Sequence, residues 1–97
     1  MNKKIVLSST SKRKLYQLLD YLENEWSVKV KKDFIKKLDK NLLKISKYPS
    51  SNPESKEIKG LFKSIVTKQI SLFYKVKSDE IEIVTLFDTR QNPNKLK

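Results

Sequence analysis

The sequence predicts an α+β fold: an N-terminal strand, a two-helix hairpin and then a three-stranded antiparallel meander, with the helices packed on one face of the sheet. Three observations predict it. Between residues 11 and 47, apolar side chains recur at three- and four-residue steps in two stretches, as amphipathic helices require. After residue 57 come three runs rich in β-branched and aromatic residues, separated by linkers of hairpin length. A chain of 97 residues has room for one hydrophobic core, so residues 1–97 are expected to form a single domain.

Residues 3–8 (KKIVLS) are short and β-branched, and Ser-Ser-Thr-Ser follows, so they read as a strand leading into a helix cap. From Ser11 to about Glu25, Leu15, Leu18, Leu19, Leu22 and then Trp26 form one buried stripe. Lys12, Arg13 and Lys14 stand in its first turn, against the helix dipole. Ser27 can cap a second helix, which Tyr48-Pro49 stops after Lys47. Its core stripe is Val30, Phe34, Leu38, Leu42 and Ile45; Lys29, Lys32, Lys36, Lys40, Lys44 and Lys47 follow the same rhythm on the other side. Most such basic stripes are solvated faces. The sharper reading is a footing for nucleic acid or a ribosome.

Residues 49–57 turn to Ser, Asn, Pro and Glu and read as a loop. The strands that follow are expected at Ile58–Val66, Ile70–Val76 and Glu80–Phe87, with Gly60 marking a bulge or a close backbone approach. The first strand should join the edge of this meander. One sheet face then takes the helices and the other stays open.

Composition narrows the function. The net charge is +11, with twenty lysines to two arginines, and points to an anionic partner: nucleic acid, a ribosome or an acidic protein. Without cysteine there is neither a disulfide framework nor thiolate chemistry, which suits a reducing cytoplasm. Without histidine the commonest general base and metal ligand are gone, and no metal site or cofactor is expected. The apolar stretch at the N-terminus is too short for a signal peptide or a membrane span. Phosphate-loop, zinc-protease and nucleophile-elbow motifs are absent, so any catalysis rests on Lys, Arg, Tyr and carboxylates.

Alternation along the last strand places Glu82, Val84, Leu86, Asp88 and Arg90 on one face and Ile81, Ile83, Thr85, Phe87 and Thr89 on the other. Asp88 and Arg90 then point the same way. As a surface ion pair they would contribute at most about 1 kcal/mol. As a site they would aim a guanidinium at a phosphate, which Arg binds better than Lys does. Lys59 and Lys63 should share a face of the first meander strand, with Lys56 and Glu57 just before it and Lys68 in the following turn. A metal-free nuclease needs a group to take the 2′-hydroxyl proton and cations to stabilise the phosphorane. Glu57, a lysine or Tyr74 could take that proton, and the spacing selects none of them.

The run DYLENEWSVKVKKDFIKKLDKNLLKISKYP, then IKGLF, ISLFYKV and DEIEIVTLFDTRQNP, resembles toxins of the RelE/ParE superfamily from bacterial type II toxin–antitoxin systems. The resemblance covers nearly the whole chain. It implies a cytoplasmic toxin encoded beside an antitoxin whose acidic or amphipathic tail wraps and blocks it. RelE-type members cut mRNA in the ribosomal A site with basic residues on the meander and near the end of the last strand; ParE-type members lack that set and inhibit DNA gyrase. Carried over, Arg90 matches the late-strand Arg of the nucleases and Lys59 and Lys63 stand near their lysine pair; Lys56, Lys68, Asp88 and Gln91 are candidate binding residues beside them. The chain departs from the nucleases at Ser71, where they often carry Arg, and at Asn94-Lys95-Leu96, where some carry Tyr. These departures count against ribosome-dependent mRNA cleavage, but with the net charge of +11 it stays the first expectation. Non-enzymatic gyrase inhibition and a degenerate, antitoxin-binding homologue remain beside it.

Overall fold

The first strand, β1 (Lys4–Leu7), passes through Ser8 directly into helix α1 (Ser9–Glu25). Ser8 is extended, and its hydroxyl oxygen accepts the Ser11 amide at 3.0 Å, so it supplies one of the acceptors that a helix start lacks. The computed structural model describes residues 3–88. Ser27 caps α2 (Val28–Lys47) in the same way, accepting from the Val30 amide at 3.1 Å. A 3₁₀ turn at Pro49–Ser51 follows, and then strands β2 (Phe62–Ile65), β3 (Ile70–Val76) and β4 (Glu80–Asp88). The expected element order is thus present.

The sheet order is β1-β4-β3-β2. The last three strands pair antiparallel, and β1 adds to the edge of the meander parallel to β4. Leu18 and Leu22 of α1 and Phe34, Leu38 and Ile45 of α2 pack on Ile70, Leu72, Tyr74, Ile81, Ile83 and Leu86. Both helices therefore cover one face of the sheet, as their apolar stripes demand. Beyond β1, Ser46 at the end of α2 ties the outer edge: its carbonyl accepts the Lys3 amide and its hydroxyl donates to the Lys3 carbonyl at 2.7 Å.

The structure corrects the sequence reading in four places. Trp26 is 58% exposed rather than part of the stripe, because it is the C-cap of α1, with non-helical φ and ψ, and the helical period has ended. The first meander strand is Phe62–Ile65, not Ile58–Val66, because the Ser55 hydroxyl takes the amides of Glu57 and Ile58 and a turn closes from Leu61 N–H to the Ile58 carbonyl. Gly60 sits in that turn at φ +87 with open space around its Cβ position, so it supplies a left-handed turn conformation rather than a bulge or close approach.

The fourth correction concerns β4. Phe73 pairs with Thr85 but Tyr74 pairs with Ile83, so Val84 has no partner on β3 and forms a bulge. The extra residue reverses the alternation. Ile81 and Ile83 face the helices before it, and Leu86 and Asp88 face them after it, while Thr85 and Phe87 turn to the open face. The Ser8 hydroxyl donates to the Val84 carbonyl at 2.7 Å and so satisfies the group the bulge displaces.

Candidate functional site

The open face is built from β2 and β3, where Lys63 and Ile65 stand beside Ser71, Phe73 and Lys75. Polar chemistry gathers at one end of it, and the loop before β2 puts it there. Residues 53–55 run antiparallel to the outer edge of β2: the Lys63 amide donates to the Pro53 carbonyl, the Ser55 amide donates to the Leu61 carbonyl, and Glu54 bridges to Phe62. Ser55 is buried, and its hydroxyl donates to Glu57 Oε1 at 3.3 Å while accepting two amides. This loop carries the Glu57 carboxylate onto the Lys63 ammonium as an ion pair. Lys63 Nζ also lies 6.0 Å from the centroid of the Phe73 ring, the outer limit for a cation–π contact. Phe73 is fully buried although it faces away from the helices.

The Lys63 ammonium, donating directly to Glu57, holds that carboxyl below the usual carboxylate value; partial burial opposes the effect, and bonds from the backbone and Ser55 add to it. Glu57 is therefore ionised and a weakened base, and its charge offsets that of the cation beside it. Tyr74 lies on the opposite face. Its ring stacks on Phe62 at 5.5 Å, its hydroxyl donates to the Pro49 carbonyl at 2.8 Å, and Asn52 Nδ2 donates to it at 3.2 Å. Burial pushes the Tyr74 pKa up, and the Asn52 bond only partly offsets that.

Of the residues singled out in the sequence, the structure brings Glu57 and Lys63 together. Lys56 and Lys59 are exposed in the loop before β2, so Lys59 does not share a strand face with Lys63. Lys68 is exposed at the opposite end of β2. Asp88 is 4% exposed, paired in register with Ile70 on the helix-facing side, not on the open face, for the bulge turns it inward. Arg90 and Gln91 lie outside the described residues.

Two groups escaped the sequence reading. Asn41 on α2 donates to the Ile65 carbonyl at 3.2 Å and accepts from Ser64, joining helix to edge strand. An amide within the apolar stripe, three residues after Leu38, was a usable signal. Asn52, by contrast, lies in a Ser- and Pro-rich loop whose composition says nothing of its bond to Tyr74. Beside these residues is a hollow of about 240 Å³, lined in part by Asn41, Lys44, Asn52, Lys63 and Ile65. A second, of about 280 Å³, has Leu22, Val30, Phe34 and Ile70 as its apolar part and Asp33, Lys37 and Gln69 among its polar ones.

Comparison with known proteins places this architecture. The structure resembles that of the chromosomal ParDE toxin–antitoxin system from P. aeruginosa, with 11% sequence identity, a TM-score of 0.74, and coverage of 89% of this chain and 95% of that one. It is also similar to the E. coli DinJ–YafQ toxin–antitoxin complex, with 11% identity, a TM-score of 0.63, and coverage of 95% and 98% respectively. The YoeB dimer from Staphylococcus aureus matches with 16% identity, a TM-score of 0.60, and coverage of 90% and 97%. At these identities the likeness is one of fold. No curated protein sequence is significantly similar to the chain. Residues 5–93, however, match the family model described as ParE toxin of type II toxin-antitoxin system, parDE. The chain therefore belongs to the ParE toxin family, within the RelE/ParE superfamily of type II toxins.

Proposed function

We propose that the protein is the toxin of a toxin–antitoxin pair, that it arrests growth by binding and blocking DNA gyrase without cutting RNA, and that a cognate antitoxin neutralises it. The observation that carries the choice of mechanism is the Glu57–Lys63 ion pair. A metal-free nuclease needs a base that is free to take a proton, and cations grouped around the scissile phosphate. Here the carboxylate and the cation nearest to it neutralise each other. Lys59 stands apart in an exposed turn, and the Tyr74 proton is engaged with Pro49 across the sheet. The family match supports the same reading, since ParE-type toxins are the branch that by resemblance acts on gyrase.

Ribosome-dependent mRNA cleavage, the first expectation from sequence, keeps one observation in its favour. An ionised carboxylate beside an ammonium on an open face is also the pair that acid–base work on a phosphate requires. The two readings separate in one experiment. After the toxin is induced without its antitoxin, gyrase inhibition gives relaxed plasmid and intact transcripts, and the purified protein stops gyrase supercoiling. Cuts at codon-phased positions that vanish when translation is blocked would replace gyrase inhibition with mRNA cleavage. Intact transcripts and normal supercoiling in healthy cells would leave a degenerate, antitoxin-binding homologue.

The partner follows from the relatives that are toxin–antitoxin complexes, among them DinJ–YafQ and YoeB–YefM. With a net charge of +11, the chain should attract an acidic antitoxin over a distance. Association should therefore slow as salt is raised, with dissociation changing less. An on-rate that stays constant across ionic strength would remove charge steering from this account.

A further inference from the structure

The outer face of α2 is turned away from the core. The helix carries eight lysines against Asp33 and Asp39. Taking Leu38 as the centre of the buried side, Lys29 and Lys47 lie diametrically opposite, with Lys36 and Lys40 within roughly 20° of them. Lys32 and Lys44 lie about 60° to either side of that line. All six are exposed, and among the described residues the only lysine of α2 held in an ion pair is Lys31, with Glu23. Lys44 and Lys47, in the last turn, suit the helix dipole, so local stability accounts for that end of the stripe alone. Lys29 and Lys31 stand in the first turn, where the macrodipole disfavours cations; that turn has no acid of its own, and Glu23 of α1 pairs with Lys31.

We infer that this face binds double-helical DNA through its phosphates, without reading sequence. From Lys29 to Lys47 the helix rises about 27 Å, the length of about eight base pairs. A helix with its side chains is about 10–12 Å across, which suits the roughly 12 Å major groove of B-form DNA. Laid there by its outer face, α2 presents Lys32 to one wall of phosphates and Lys44 to the other, with Lys29, Lys36, Lys40 and Lys47 between and the exposed Asp33, about 40° from their line, as the acid among them. The deep, narrow major groove of an RNA duplex does not admit side chains, so the fit is to DNA. The contact is carried by phosphates rather than base edges because the face is a row of flexible lysines with no Arg, Asn or Gln fork among them. The helix has no Arg or Gln, and its one amide, Asn41, is bound inward to Ser64 and Ile65. The inference does not rest on the gyrase reading, since the Glu57–Lys63 pair is on the sheet face turned away from the helices.

The test uses the full chain and a fluorescently labelled 20-base-pair DNA duplex, with anisotropy measured from 50 to 200 mM salt. Binding should weaken linearly in log–log form as salt rises. K29Q/K36Q/K40Q should flatten that slope by about 0.9 for each lysine removed. K4Q/K75Q/K77Q, which lowers the net charge equally from the sheet side, should keep a slope near that of the unmodified protein. Circular dichroism establishes that both variants are folded. No binding at 50 mM salt, an equal loss in both variants, or tighter binding to an RNA duplex of the same sequence would each overturn the inference.

Discussion

Replacing Tyr74 by Phe removes one oxygen and asks where the sheet keeps its working chemistry. The Tyr74 ring is fully buried and stacked on Phe62, and Phe preserves that packing. The change deletes the bond to the Pro49 carbonyl at 2.8 Å and the longer one from Asn52 at 3.2 Å. A hydrogen bond contributes about 0.5–1.5 kcal/mol net, so the pair should be worth about 1–2 kcal/mol. At roughly 4–8 °C per kcal/mol for a domain of this size, Tm should fall by about 4–16 °C. The variant should also respond differently to alkali. Burial raises the Tyr74 pKa above its ordinary 10.0. That contribution to stability is whole below about pH 10 and is lost as pH rises through the raised pKa. Thermal melts of the two proteins should therefore converge above pH 10. Growth arrest by the variant should persist at temperatures where it is folded, because the hydroxyl faces the 49–52 segment and not Lys63. If Tyr74→Phe melts with the unmodified protein yet no longer arrests growth, the hydroxyl belongs to the chemistry and the reasoning fails.

Three smaller perturbations probe the supports of the site. Ser8→Ala removes both the cap of α1 and the donor to the Val84 carbonyl, and should lower stability by about 1–2 kcal/mol in urea titration; a neutral result would mean the bulge needs no such donor. Gly60→Ala should cost about 1 kcal/mol, since φ +87 is strained for a residue with a Cβ but the added methyl meets nothing within 4 Å. A penalty several times larger would reveal a steric partner there. Glu57→Gln breaks an ion pair whose side chains are about one third exposed and should cost less than about 1 kcal/mol at neutral pH. Because Lys63 holds the Glu57 pKa below 4.5, this contribution is present above pH 4.5 and fades as pH falls through the lowered value, so the two proteins should converge in acid.

The helices were legible because their signals are local and repeat. Ser27 caps α2, Phe34, Leu38 and Ile45 recur on its buried side, and Tyr48-Pro49 follows its end. Trp26 continued the rhythm of α1 by number alone, one residue past the last turn. The run from Ile58 was harder, since its composition is that of a strand. The Ser55 side chain competes there for the amides of Glu57 and Ile58, and the chain turns at Gly60 before pairing begins. That competition depends on where Ser55 is folded, which no period of two or 3.6 residues records. The consequence falls on the site: Lys59 is displaced to a turn, and Glu57 is delivered to Lys63.

The β4 bulge had a larger effect on the candidate site than any other local feature. Strict alternation would have turned Thr85 and Phe87 toward the helices and left Leu86 and Asp88 on the open face. One unpaired residue, Val84, exchanges these roles, so Leu86 completes the core and Asp88 is buried opposite Ile70. The sequence carries no glycine or proline there to announce it. What sustains it lies 76 positions away, where the Ser8 hydroxyl meets the Val84 carbonyl and the Ser8 amide meets the Ile83 carbonyl at 3.0 Å. The residue that starts α1 thus also holds the bulge of the last strand. A bulge satisfied by a distant cap is a tertiary feature, and the alternation of β4 follows from its register with β3, which passes over Val84.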